Sequence, residues 1–142
     1  MPVTAHDLIG AWHLESWSLI YEDGRPPEFP LGADAIGLIL YTPDGHVSAT
    51  LMRAGQSKTV PGTTTDKAAT YDNGFAYAGR YEVRDGVAYH AIGVSANPAI
   101  VGLVTSRRID LDGDRLTLSG PDFTPGAKRT QQIVWRRVVA KT

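Results

Sequence analysis

At 142 residues, with 42% hydrophobic and 20% charged side chains, the chain has the make-up of one soluble domain that holds a core without covalent staples. A net charge of −1 supplies no basic surface for nucleic acid or an anionic membrane, and the absence of cysteine excludes disulfides, thiolate nucleophiles and cysteine-ligated metal centres. No segment joins a basic start to an apolar run, so the expected setting is cytoplasmic, without secretion or membrane spanning.

Thr4 N-caps a short helix, with Asp7 at its third position and Gly10 as its stop. Residues 11–22 then alternate as a strand. Trp12, Leu14, Ser16 and Ser18 share one side, and Trp17 on the other packs under the helix or lines an opening. After a loop rich in proline and acid (23–34), residues 36–42 and 46–53 form a hairpin around Thr42-Pro-Asp-Gly45. Its better apolar face is Ile39, Tyr41, Val47, Ala49 and Leu51. A polar connection (54–65) leads to a short helix over 65–74 with a glycine stop.

The next hairpin, 75–84 with 87–95, turns on Asp85-Gly86, which suits a type I′ turn with positive φ at both central residues. That turn sets Tyr81 opposite His90 and Val83 opposite Ala88. One face then carries Tyr77, Gly79, Tyr81, Val83, Ala88, His90, Ile92 and Val94. Asn97-Pro98 is a turn. Residues 102–111 and 115–119 pair around Asp112-Gly113, which sets Ile109 opposite Leu116 and Arg107 opposite Leu118. A loop (120–128) precedes the last strand, 129–139. Eight strands joined to their sequence neighbours, with only short helices, predict an all-β fold: an eight-stranded antiparallel up-and-down β-barrel forming a single domain over residues 1–142.

These facing sets put Tyr41, Tyr77, Tyr81, His90 and Arg107 in the lumen, among aliphatic residues such as Leu51 and Ile92. A barrel of eight strands either fills with side chains or holds one small ligand. A largely apolar cavity with a few convergent polar groups is what a small-molecule site looks like. The Arg107 fork suits a carboxylate, phenolate or enolate. His90 titrates near neutrality and can shuttle a proton, and Tyr77 or Tyr81 can donate to a carbonyl or orient His90.

Two functions follow. One is binding of a small apolar or aromatic molecule with a carbonyl or acidic group, through Tyr41, Leu51, Tyr77, Tyr81, His90, Ile92 and Arg107. The other is a cofactor-free isomerase or cyclase with His90, Arg107 and Tyr81 as its catalytic groups. The loops 23–34 and 54–65 would form the lid. A structural alternative stays open, in which the barrel is filled, the histidine and tyrosines satisfy one another, and Arg107 pairs with Glu15 or Asp110 or covers Trp12.

His6, His13 and His46 fall on outward or terminal positions. No histidine spacing suits a metal, and Asp44, Asp85, Asp112 and Asp114 serve turns. Haem on His90 has no second supporting feature, and the nucleophile-elbow, P-loop and dinucleotide motifs are absent, so no cofactor is expected. The expected partner is a small hydrophobic or aromatic ligand, with a homodimer left open.

Gly10-Ala-Trp12 matches the Gly-x-Trp signature of the lipocalins, in which the tryptophan plugs one barrel end and an arginine from near the last strand packs over it. Trp135-Arg136-Arg137 lies where that arginine is expected. Further motifs follow in order: Leu40-Tyr-Thr-Pro-Asp-Gly45, Ser48-Ala49, Met52-Arg53, Ala78-Gly-Arg-Tyr81, His90, Ser95, Pro98 and Leu111-Asp-Gly-Asp-Arg-Leu-Thr-Leu118. Together they resemble the bacterial and fungal lipocalin-like domain family, a calycin-type barrel. The resemblance implies a fold more firmly than a function, and it alone suggests a natural-product pathway for the isomerase or cyclase.

Overall fold

The computed structural model describes residues 2–56, 58–124, 126 and 128–139, which leaves Ser57 of the 54–65 connection and Pro125 and Ala127 of the 120–128 loop outside the description. A single-turn helix α1 (Ala5–Leu8) leads into β1 (Gly10–Tyr21), β2 (Ile36–Tyr41) and β3 (His46–Met52). The helix α2 (Thr64–Asp72) precedes β4 (Gly74–Arg84), β5 (Val87–Ser95), a 3-10 turn (Pro98–Ile100), β6 (Val104–Asp112), β7 (Arg115–Gly120) and β8 (Arg129–Arg137). Each strand pairs antiparallel with the next and β8 returns to β1, so the eight strands close into a barrel with no free edge. Among the described residues no helix is long and apolar enough to cross a membrane.

One end of the barrel is made of tight turns. Asp85 and Gly86 take φ of 51° and 76°, the paired positive values of a type I′ turn, and Gly45 N–H closes on Thr42 C=O at 3.2 Å. This end is also plugged. Trp12 is fully buried with Leu8, Leu116 and Trp135, and its indole N–H donates to Leu8 C=O at 2.9 Å. The Arg137 guanidinium lies 4.1 Å over the Trp12 ring and donates to the carbonyls of Asp7 (2.9 Å) and Ile9 (3.2 Å), acceptors that the short helix leaves unpaired. Thr4 and Asp7 form the expected capping box.

Three registers differ from the simple alternation. In β1 the pairing with β8 shifts between Leu14 and Ser16, so the lumen side passes from Trp12 and Leu14 to Trp17 and Leu19, and Ser16 and Ser18 turn away. In β4–β5 the Asp85-Gly86 register holds as far as Gly79↔Ile92 and breaks at the next pair. Ala78 then pairs with Val94, with Gly93 as the extra residue. Val94, expected inward, is therefore 69% exposed. The cause is close approach: a Cβ on Gly79 would lie 1.8 Å from the Ala91 carbonyl oxygen.

In β6–β7 the turn is Gly113-Asp114, with Asp112 opposite Arg115 and Ile109 opposite Leu118. The slip is two residues, so the inward set is unchanged. Arg107 lies against Gly120, where a Cβ would come within 2.5 Å of the Ser106 carbonyl oxygen and 3.3 Å of Arg107 Nη1.

A ligand-sized cavity in the open half of the barrel

Above the plug the barrel encloses a cavity of about 270 Å³, so the lumen is not filled. Drug-sized sites occupy roughly 300–1,000 Å³, so this one suits a molecule of one or two rings. The long connections gather at this end. Phe75, at the start of β4, anchors an aromatic rim, with its ring 6.0 Å from Trp17, 5.7 Å from Tyr77 and 6.0 Å from Phe123. Pro30 of the 23–34 loop reaches the cavity wall, whereas no described residue of 54–65 does. That segment is tied off outside β3 and β4, where Arg53 N–H donates to Asn73 C=O at 2.9 Å and Arg53 Nε to Asn73 Oδ1 at 3.0 Å. The covering loop missed from sequence is 121–124, which supplies Asp122, Phe123 and Thr124 to the wall.

Of the seven residues expected around a ligand, Leu51, Tyr77, His90 and Arg107 line the cavity. Tyr41 stands beneath it, its hydroxyl on His90 Nε2 at 2.8 Å. Tyr81 and Ile92 do not reach it. The Tyr81 hydroxyl is drawn toward the plugged end by the Thr42 carbonyl at 3.1 Å, and its ring packs edge-on to Tyr41 at 4.7 Å. Ile92 is buried beside the β5–β6 connection, with its backbone bonded to Leu103 and Gly102. The structural partners considered for Arg107 are taken or absent: Arg136 holds Glu15 at 2.5 Å, and Arg137 covers Trp12. His6, His13 and His46 are exposed.

His90 is held from both sides, with Tyr41 on Nε2 and the Tyr77 hydroxyl on Nδ1 at 2.5 Å. Burial, followed by the nearby Arg107 cation, lowers its pKa from 6.5 to about 3, so the ring is neutral near pH 7. A neutral imidazole offers one donor and one acceptor. Tyr41 is buried and has no other acceptor among the described residues, so its proton must go to Nε2. Nδ1 then carries the ring proton and donates to Tyr77, which leaves the Tyr77 proton to the cavity. Burial raises the pKa of both tyrosines, that of Tyr41 well above its usual range, and Arg107 opposes the rise in each.

Arg107 is 4% exposed. Its Nη1 donates to the carbonyls of Ser106 (3.0 Å) and Pro121 (2.9 Å), and among the described residues no carboxylate lies within ion-pair distance of it. The nearest acid on the wall, Asp122, is held by Arg129 at 2.6 Å. Burial lowers the Arg107 pKa, but a guanidinium remains a cation at neutral pH. Among the described residues no group of three or more His, Asp or Glu stands together as a metal site.

A family profile described as a lipocalin-like domain matches residues 9–138. The chain belongs to that family. Two solved structures are similar to it over most of their length. One is the lipoprotein YedD from Klebsiella pneumoniae, at 14% identity and a TM-score of 0.45, over 99% of this chain and 82% of that one. The other is an uncharacterized protein from Bacteroides eggerthii, at 14% identity and a TM-score of 0.49, over 93% of this chain and all of that one. No curated protein matches. Within the lipocalin-like chain, the plug of Trp12 and Arg137 closes one end, and the cavity lies toward the other.

Proposed function

We propose that this lipocalin-like protein binds, inside its barrel, a small apolar or aromatic molecule carrying a carbonyl or acidic group. The observation that carries this reading is Arg107, a buried cation on the wall of an apolar cavity that among the described residues has only backbone carbonyls as partners. A buried charge without a counter-ion costs several kcal/mol, and an acidic or carbonyl ligand would offset that cost in the bound state. The aromatic rim of Trp17, Phe75 and Phe123 suits the apolar body of such a molecule.

A thermal-shift screen of one- and two-ring aromatic acids and ketones tests the reading. At a hundredfold excess over Kd, a ligand stabilises the native state by about 2.7 kcal/mol, which gives a clear rise in Tm. Leu118→Trp, which fills the lumen from the wall, should abolish the shift while the protein stays folded. No shift from any compound in the native protein would overturn the reading.

The second reading, a cofactor-free isomerase or cyclase, is favoured by one observation, the hydrogen-bonded series Tyr41–His90–Tyr77 that ends at the cavity. Both His90 nitrogens are engaged, so in this reading the proton reaches the substrate through Tyr77.

A further inference from the structure

The cavity wall has polar groups of both kinds, but the acceptors are already used. Gln131 Oε1 accepts from the Trp17 indole at 2.9 Å. The Asp122 carboxylate is held by Arg129 at 2.6 Å, and Thr124 Oγ1 accepts from the same guanidinium at 3.1 Å. The donors are left over. Among the described residues Arg107 gives only Nη1 to protein carbonyls, and its Nε and Nη2 have no partner. The Trp135 indole N–H is fully buried without an acceptor among the described residues. The Tyr77 proton is turned away from His90 by the direction of the Tyr41–His90–Tyr77 series. Unpaired buried donors cost free energy that a single acceptor-rich ligand atom can recover.

We propose that the cavity is an oxyanion site, binding its planar ligand through an anionic oxygen (a phenolate, enolate or carboxylate) that accepts from Arg107 and from the Tyr77 hydroxyl, with Tyr41 and His90 as positioning residues that direct the Tyr77 proton. The proposal rests on the reading that the lumen binds a small molecule, and goes beyond it by fixing the ligand's charge state and its protein donors. Thr105, paired with His90 across β5–β6, supports the arrangement. Among the described residues its hydroxyl has no partner in hydrogen-bond geometry, yet it lies near enough to Tyr77 to favour negative charge there.

Removal of Tyr41 should act at a distance. Without its proton on Nε2, the imidazole is free to accept from Tyr77 at Nδ1, and the Tyr77 hydroxyl then points at His90 instead of the ligand.

The test uses two matched pairs of probes: 7-hydroxycoumarin against 7-methoxycoumarin, and 1-naphthoate against its methyl ester. Affinities are read from fluorescence or calorimetry on the intact chain, with circular dichroism to check folding. The native protein should bind the ionisable member of each pair more tightly, and bound 7-hydroxycoumarin should ionise at lower pH than free. Tyr77→Phe should weaken the anionic probes roughly ten- to hundredfold, the effect of one hydrogen bond to a charged group. Tyr41→Phe should weaken them by roughly three- to tenfold, and both variants should leave the methylated probes within about twofold.

Equal losses for charged and neutral partners, or no fall in the ionisation pH of bound 7-hydroxycoumarin, would overturn the oxyanion assignment alone. Failure of all four probes to bind the native protein would remove the lumen reading and this proposal together. The ionisation readout needs no variant, so a folding defect in either substitution leaves the proposal testable.

Discussion

Between Tyr41 and Tyr77 the His90 ring has no nitrogen left for a ligand, and burial beside Arg107 holds its pKa near 3. In the unfolded chain the same ring titrates near its ordinary value of about 6.5. Below that pH the unfolded state takes up a proton that the native state refuses. The contribution of His90 to stability is therefore whole above about pH 6.5 and falls by up to about 1.4 kcal/mol per pH unit toward pH 3. Carboxylates titrate in the lower part of this window, so the comparison must be differential. Denaturant melts of the native protein and of His90→Gln between pH 7 and pH 4 should show a shallower decline for the variant. Parallel declines would mean that the ring is protonated in the native state. Sequence alone placed a histidine on an inward face but left its pKa near neutrality, because what lowers it is burial inside the closed barrel, followed by the Arg107 cation brought in from β6.

In the β4–β5 ladder, legibility ends at one residue. The Asp85-Gly86 turn settles the pairing of Tyr81 with His90, since a two-residue turn leaves no freedom in register. Six residues up the strand, Gly79 meets the Ala91 carbonyl so closely that the ladder bulges, and Gly93 drops out of the pairing. A glycine in a strand signals a bulge only in general terms, so the outward turn of Val94 could not be read from the chain. The same holds for the β1 shift that brings Trp17 to the cavity, and for the 121–124 loop, which has no periodicity to read. Arg129, Gln131, Ile133 and Trp135 were readable in principle, since they alternate along β8 and share its lumen side. Gly79→Ala should destabilise the barrel by about 2–3 kcal/mol, the range of an overpacked core, measured by urea denaturation. A neutral substitution would mean that the bulge yields without strain.

Across the whole barrel, the two ends are built differently. The tight turns and the plug lie at one end, and the long connections and the cavity at the other. Arg137 joins β8 to α1 and covers Trp12, so Arg137→Ala removes a cation–π contact and two hydrogen bonds to carbonyls. A loss of about 2 kcal/mol in chemical denaturation is expected, with ligand affinity unchanged because neither Arg137 nor Trp12 lines the cavity. A matching loss of affinity would show that the two ends are coupled. Gly10 and Arg137 are neighbours at the plugged end, the first residue of β1 and the last of β8. A tether that meets the barrel beside Gly10 or Arg137 is therefore held on the far side from the cavity mouth, and the protein can be immobilised through it without obstructing its own opening.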